Sequence, residues 1–356
     1  MVRRLITLAV LAALMALMAC GGAGAGSPRV AIFFYPWYST AAHDAADAHW
    51  NQAGHAPPAD IASRYYPVRG AYSSGDATVL GGQMEEIAST GAGVVVSSWW
   101  GAGSLEDLRL PAVIAAARAH GLRVAVQIEP YPGRTAASVG TDVDRLHSLG
   151  IDDFYVYRAQ DSAAADWAPV NARLTGVRMI AHTLLVGWAA AARFAGLYTY
   201  DVLINDGSSF KRLCKQAHRA GLLCAPSVGP GFDATAATSE PRTRPRRNGA
   251  TYDAMWHAAV GAGADIVTVT SYNEWHEGSQ IEPAATPAQG SRYAGYDDAW
   301  GIRGAQAPPA YLARTALWVE RFDPSPASAT PVAVARILAA WPEQPSPPGR
   351  RIFRTR

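Results

Sequence analysis

Two glutamates three residues apart stand in the densest polar stretch of the chain, Asn273-Glu274-Trp275-His276-Glu277-Gly278-Ser279-Gln280-Ile281-Glu282-Pro283. Cleavage of a glycosidic bond normally uses two carboxyl groups, one to protonate the departing oxygen and one to stabilise or assist the anomeric carbon. A Glu-x-x-Glu pair alone is a weak signal, because on a helix it is usually a solvated face. Here a continuous apolar run, Asp265–Ser271, precedes the pair and helix-breaking residues soon follow, so both carboxylates can face one cleft from one loop. In that arrangement Trp275 provides a wall and His276 a hydrogen bond.

Rings and acids follow the other apolar runs too: Tyr35-Pro36-Trp37-Tyr38, Trp99-Trp100, Glu129-Pro130-Tyr131, Tyr157-Arg158, His182 and Tyr198-Thr199-Tyr200. Core packing is the ordinary role of any one ring, but a core would place rings within the runs rather than after them. The chain has 11 Trp and 15 Tyr against 8 Phe, so most rings carry a polar handle suited to a ligand with flat apolar faces, such as a sugar. With 31 basic and 29 acidic residues the charge is +2, without the basic excess of a nucleic-acid binder. His43, His49, His55 and His276 form no metal-ligand spacing, and no Gly-x-Ser-x-Gly elbow or strand-linked phosphate loop occurs. No metal and no nucleotide cofactor is expected.

Eight runs can supply the strands that place these groups: Val30–Tyr35, Gly93–Ser98, Arg123–Ile128, Asp153–Tyr157, Val177–Thr183, Gly196–Tyr200, Leu222–Ser227 and Asp265–Ser271. They are continuous rather than alternating, as strands covered on both faces should be. Helical patterns intervene at Val79–Thr90, Leu108–His120, Val139–Leu149, Val186–Arg193, Ser209–Ala220 and Tyr252–Ala262, with Gly121, Gly150 and Gly221 as helix-ending glycines. Alternation of this kind predicts an α/β fold, a (β/α)8 barrel, whose reactive groups come from the C-terminal ends of strands. Asp161–Leu174 gives no clean amphipathic helix, and Ser39–Ala77 is a long segment expected to wall the cleft. Tyr311–Glu320 and Val332–Ala340 read as closing helices around the linker Pro324–Pro331. The barrel domain spans 29–341, and 342–356 reads as a disordered tail.

Arg3 and Arg4 precede the apolar run Leu5–Met18, too short for a mature membrane span and suited to an export signal over 1–19. Leu17-Met18-Ala19-Cys20 resembles a bacterial lipobox, which makes Cys20 a lipid-bearing N-terminus on a flexible tether over 20–28. The expectation is a membrane-anchored lipoprotein of the cell envelope, with a secreted protein as the alternative. Cys214 and Cys224 have two readings, a disulfide or two buried small apolar residues.

From Phe33 to Phe322 the chain resembles glycoside hydrolase family 99, the endo-α-mannosidase family. The resemblance rests on Phe34-Tyr35-Pro36-Trp37-Tyr38, His49-Trp50-Asn51, Gly70-Ala71-Tyr72-Ser73-Ser74-Gly75-Asp76, Ser97-Ser98-Trp99-Trp100-Gly101, Ile128-Glu129-Pro130-Tyr131, Leu197-Tyr198-Thr199-Tyr200 and the long Ser271–Pro283 stretch. It implies a barrel, no metal, and endo-cleavage of an α-mannosidic linkage with retention through the substrate's own 2-hydroxyl and a 1,2-anhydro sugar. By the same resemblance Glu274 assists the 2-hydroxyl, while Glu277 protonates the leaving oxygen and then activates water. Glu129 would hold sugar hydroxyls, and Tyr35, Trp99, Tyr198 and Tyr200 would line the reacting subsite. Trp37, Trp100, Tyr131, Asn273, Trp275 and His276 complete the expected cleft. Such a mechanism needs Glu277 protonated near neutral pH and Glu274 ionised, so a raised Glu277 pKa is expected from burial against rings such as Trp275.

The chain departs from the family pattern at Phe194-Ala195-Gly196, where an acidic residue usually precedes the glycine, and at Ser239-Glu240-Pro241. Both changes alter subsite walls and turn the expectation from a vertebrate-type N-glycan to an α-mannan-type polysaccharide, cut by a monomer. The rival readings are action on another α-linked glycan, such as an α-glucan, and a noncatalytic glycan-binding lipoprotein.

Overall fold

The computed structural model describes residues 26–324. The export signal, Cys20, most of the tether, the closing helix at Val332–Ala340 and the tail lie outside the described residues. Eight strands run parallel about one axis: β1 (Ser27–Phe34), β2 (Ala92–Trp99), β3 (Arg123–Ile128), β4 (Asp153–Val156), β5 (Arg178–His182), β6 (Gly196–Tyr198), β7 (Leu223–Ala225, resuming as Ser227–Val228) and β8 (Val267–Val269). The helices that cover them are α1 (Ala77–Ser89), α2 (Leu105–Ala119), α3 (Ala136–His147), α4 (Ala164–Arg173), α5 (Val186–Ala191), α6 (Phe210–Arg219), α7 (Ala250–Gly261) and α8 (Ala310–Phe322). Each strand pairs with the next, and β8 returns to β1 in the register Val30↔Val267 to Ile32↔Val269. The expected (β/α)8 barrel is therefore the observed one. Among the described residues no helix is long and apolar enough to cross a membrane.

The seam between β6 and β8 is closed in an unusual way. Leu223–Ala225 pairs with β6, whereas Ser227–Val228 pairs with β8, so β7 changes partner at Pro226, a residue with no N–H to give. Hydroxyls make up for the short ladder. Ser227 N–H donates to Thr199 Oγ1 (2.9 Å), Ser227 Oγ bonds Thr268 Oγ1 (2.6 Å), and Thr270 Oγ1 donates to the Tyr200 carbonyl (3.1 Å).

Residues two apart on a strand share a face, and this period builds the interior. The Phe33 ring lies 5.7 Å from those of Tyr155 and Tyr198, which are 5.2 Å from each other, and Tyr198 donates to Gln127 Oε1. These residues belong to β1, β3, β4 and β6, and side chains of strands that are not neighbours can touch only across the barrel. Two positions further on, Tyr35, Glu129, Tyr157 and Tyr200 make the next layer, at the C-terminal mouth.

Asp161–Leu174, which reads as an unclear helix in sequence, contains α4. Its buried face rests on Trp167 and Val170 alone, alanines fill half of the other positions, and Pro169 lies inside the helix, so the apolar period is faint. The Trp167 indole donates to the Ala159 carbonyl (2.8 Å) and fixes the helix to its own entry turn. Cys214 of α6 and Cys224 of β7 form a disulfide with Cα atoms 5.1 Å apart, which decides between the two readings of these cysteines.

The long segment after β1 is packed rather than loose. Arg109 of α2 donates to the carbonyls of Pro36 (2.8 Å) and Tyr38 (2.9 Å), to Ser39 Oγ and to Asp44. Trp50 is fully buried, stacks on Tyr38 at 4.0 Å and donates to the Tyr72 carbonyl.

Candidate active site

Beyond β8 the chain makes a tight 3-10 turn, Trp275–Glu277, and backbone bonds hold it on both sides. The Glu274 N–H donates to Ser271 Oγ (2.8 Å), and the Tyr38 hydroxyl accepts from Trp275 N while donating to the Asn273 carbonyl (both 3.0 Å). Gly278 leaves the turn at φ +61°, and a Cβ there would lie 3.0 Å from the Asp233 carbonyl oxygen, so both backbone and space disfavour a side chain. Arg246 donates to the Gly278 (2.9 Å) and Gln280 (2.6 Å) carbonyls. Its guanidinium rests on the rings of Tyr65, Tyr296 and Tyr311 at 4.6 to 4.8 Å, where cation–π attraction offsets part of the cost of burial.

Glu274 is buried and accepts a hydrogen bond from the Tyr200 phenol, which is itself bonded to the Tyr35 phenol. Tyr200 holds a left-handed backbone at φ +42°, kept by its N–H to Ser227 Oγ and by the Thr270 bond to its carbonyl. Burial raises the Glu274 carboxyl to about 7, against the Tyr200 and Tyr35 phenols and the approach of Glu277, which lower it. Glu277, partly open to the cleft, is raised well above the usual carboxylate range, by burial first and then by the negative charges of Glu274 and Asp201. Two interacting carboxyls resist ionising together, so the pair titrates as a unit, with Glu277 the more strongly raised member.

Glu129 closes the opposite side. Its Oε1 accepts from Ser98 Oγ (2.8 Å) and Gln127 Nε2 (2.6 Å), and burial raises it to about 8 despite those bonds. Tyr35 and Trp37 pack at a tilt with centroids 4.6 Å apart, and Trp37 stacks in turn on His49 at 4.5 Å. The Trp37 indole N–H is buried with no partner. His276 donates from Nε2 to the His49 carbonyl (2.6 Å), and burial lowers His276 to about 4 and His49 to about 3, so both rings are neutral.

Several expected cleft residues lie elsewhere. Trp99 is fully buried in the layer that holds Leu110 and Ile114 of α2, with its indole N–H given to Asp107. Tyr131 packs edge-on against Trp99 and bonds Ser138 and Asp142 of α3. Trp275 is fully buried with its indole N–H on Glu282. Asn273 clamps the Tyr35 backbone, accepting from its N–H and donating to its carbonyl. Tyr198 is buried beneath the mouth, and Trp100 is exposed at the rim.

The structure also adds residues that sequence reasoning left out of the site. Tyr157 packs 5.2 Å from Tyr200 and stacks on His182 at 4.7 Å, and its phenol is raised by burial and then by the charges of Glu277 and Glu129. Asp201 contributes negative charge to both Glu274 and Glu277. The signal for Tyr157 was the Tyr155-x-Tyr157 pair, which repeats the spacing of Tyr198-x-Tyr200.

The Glycosyl hydrolase family 99 profile matches residues 27–166 and 187–324. A protein of Danio rerio named glycoprotein endo-alpha-1,2-mannosidase-like protein is 33% identical, over 82% of this chain and 78% of its own length. The glycoprotein endo-alpha-1,2-mannosidase of Xenopus laevis is 29% identical, over 82% and 76%. The solved structure of the GH99 endo-alpha-mannosidase from Bacteroides thetaiotaomicron matches with a TM-score of 0.75 at 28% identity, over 85% of this chain and 99% of that one.

Proposed function

The chain belongs to glycosyl hydrolase family 99 and is a glycoside hydrolase, and from that premise we propose that it cuts internal α-mannosidic bonds of an α-mannan or a mannose-containing glycan, with retention. The observation that carries the mechanism is the pairing of Glu274, bonded to the Tyr200 phenol that Tyr35 backs, with a more strongly raised Glu277.

In the first step Glu274 takes the proton of the substrate's 2-hydroxyl while that oxygen bonds to the anomeric carbon. The bond to the leaving oxygen breaks, and that oxygen receives the proton held by Glu277. In the second step Glu277, now a carboxylate, takes a proton from water as the water oxygen bonds to the anomeric carbon. The 1,2-anhydro ring opens, and the 2-oxygen recovers its proton from Glu274. Two displacements at one carbon retain configuration. Glu129 and the unpaired Trp37 indole N–H are placed for sugar hydroxyls, with Tyr35 and Tyr157 as apolar walls.

The test is a polysaccharide panel with product analysis, run with wild type and Glu277→Gln. Internal cleavage of α-mannan, lost by roughly a thousandfold or more in the variant with binding retained, is the expected result. Cleavage of an α-glucan in its place, or binding without any product, moves the protein to a rival reading. A first-formed product of inverted configuration in an NMR time course would sink the anhydro-sugar route. The same proposal makes the enzyme a lipoprotein of the cell envelope, anchored at Cys20. Labelled palmitate incorporated by wild type and not by Cys20→Ser is the expected outcome, and equal labelling of both would overturn it.

A further inference from the structure

Behind the reacting turn lies a buried polar cluster that no step above uses. The Glu282 carboxylate, fully buried, gathers four donors: Gln83 Nε2 (2.9 Å) and Arg69 Nη1 (3.4 Å) on Oε1, and the Tyr72 hydroxyl and Trp275 Nε1 (both 2.8 Å) on Oε2. A carboxylate is acceptor-only and can serve all four at once, which a neutral side chain of similar size cannot. Arg69 also pairs with Glu86, which takes the Tyr272 hydroxyl, so the cluster is tied to α1 on one side and to the end of β8 on the other.

Two routes lead from Glu282 to the reacting groups. Trp275 is the residue between Glu274 and His276, and its indole is held from outside the turn by Glu282. The second route runs through Tyr72, whose hydroxyl donates to Glu282 and accepts from Asn273 Nδ2 (3.3 Å). Asn273 grips both backbone groups of Tyr35 (2.8 and 3.0 Å), and the Tyr35 phenol bonds the Tyr200 phenol that donates to Glu274. Both routes end on Glu274, one through its backbone and one through its hydrogen-bond donors.

We propose that Glu282 is a positioning residue of this hydrolase, fixing Trp275 and Tyr72 so that the phenol pair stays on Glu274. The proposal rests on the reading of Glu274 and Glu277 as the reacting pair. Loss of the Glu282 carboxylate frees Tyr72 and Trp275, loosens the clamp on Tyr35 and weakens the bonds that favour ionised Glu274. The acid limb of kcat/KM then moves to higher pH, a shift that mere loss of fold stability would not produce.

One structural detail sharpens the test. Gln83 Oε1 is buried without a partner. Glu282→Gln can give an amide N–H to that oxygen and keep its own carbonyl oxygen for Tyr72 and Trp275, so it should act as a rescue of Glu282→Leu. Expected for Glu282→Leu, assayed well below its Tm, is a fall of roughly tenfold to a hundredfold in kcat with KM changed less than about threefold. Its acid limb should rise by about half a pH unit or more, and Glu282→Gln should recover kcat to within about threefold of wild type. If Glu282→Leu does not fold, Tyr72→Phe, which cuts the second route alone, should show the same upward shift of the limb. A folded Glu282→Leu or Tyr72→Phe with wild-type kcat and an unmoved acid limb overturns the proposal. Glu277→Gln assayed alongside separates the two failures, because full turnover in that variant refutes the reading of the reacting pair, whereas its inactivity beside a silent Glu282→Leu refutes the positioning role alone.

Discussion

Glu274 and Glu277 are three residues apart on one turn, yet their surroundings push them to unequal extents. Glu274 has the Tyr200 phenol, backed by Tyr35, donating to its charged form, and Glu277 has like charges for neighbours. Catalysis as proposed needs Glu274 ionised, so the Tyr200 bond sets the acid limb of activity. Removing a donor from a carboxylate disfavours the charged form and raises its pKa. Tyr200→Phe should therefore move the acid limb of kcat/KM upward by about one pH unit, the equivalent of one hydrogen bond to a charged group. A pH–rate profile checks this, and activity should fall more at pH 6 than at pH 8. The turn that carries the two glutamates was legible in the sequence because a strand precedes it and a glycine ends it. For Trp99, Trp275 and Asn273 the sequence gives position but not direction: a place after a strand does not say where a side chain points, and each of these spends its N–H on Asp107, Glu282 or the Tyr35 backbone. Tyr157 was the converse case, a ring whose direction the period of two would have shown.

The elements divide along the same physical line. Strands covered on both faces are continuous apolar runs, and β3 begins and ends where the sequence reading places it. The weak helix α4 shows what pattern misses, since a stripe of two large residues suffices when a tryptophan indole is also anchored. The cysteine pair was open in sequence because spacing cannot say whether a helix and the next strand bring their sulfurs together. Once closed, the bond ties α6 to β7 across a separation of 10 residues, on elements that give no side chain to the reacting pair. Cys214→Ser should thus lower stability by about 2–3 kcal/mol, read from urea unfolding, as expected for a short covalent loop. Its kcat and KM should match the wild type at temperatures where it is folded.

For the molecule as a whole, the near balance of charge accords with a ligand that carries none. Recognition of a neutral glycan by stacking and hydroxyl bonds has no long-range electrostatic component to screen. The kcat/KM on a neutral mannan should stay within about twofold between roughly 0.05 and 0.5 M salt. A steep decline would point to an anionic substrate. The closure of the barrel at Pro226 has a different kind of consequence. Between β7 and β8 the backbone register spans only Thr268↔Ser227 and Val269↔Val228, and hydroxyls complete the join. Between β2 and β3 it runs from Val94↔Arg123 to Trp99↔Ile128. Native-state hydrogen exchange should find the amides of Thr268 and Thr270 opening with a smaller free energy than those of Val95 or Val126. Because Tyr200 and the Glu274 turn hang directly on that join, mild denaturant should silence the enzyme before it unfolds. Activity would then report a local opening, and circular dichroism the global one.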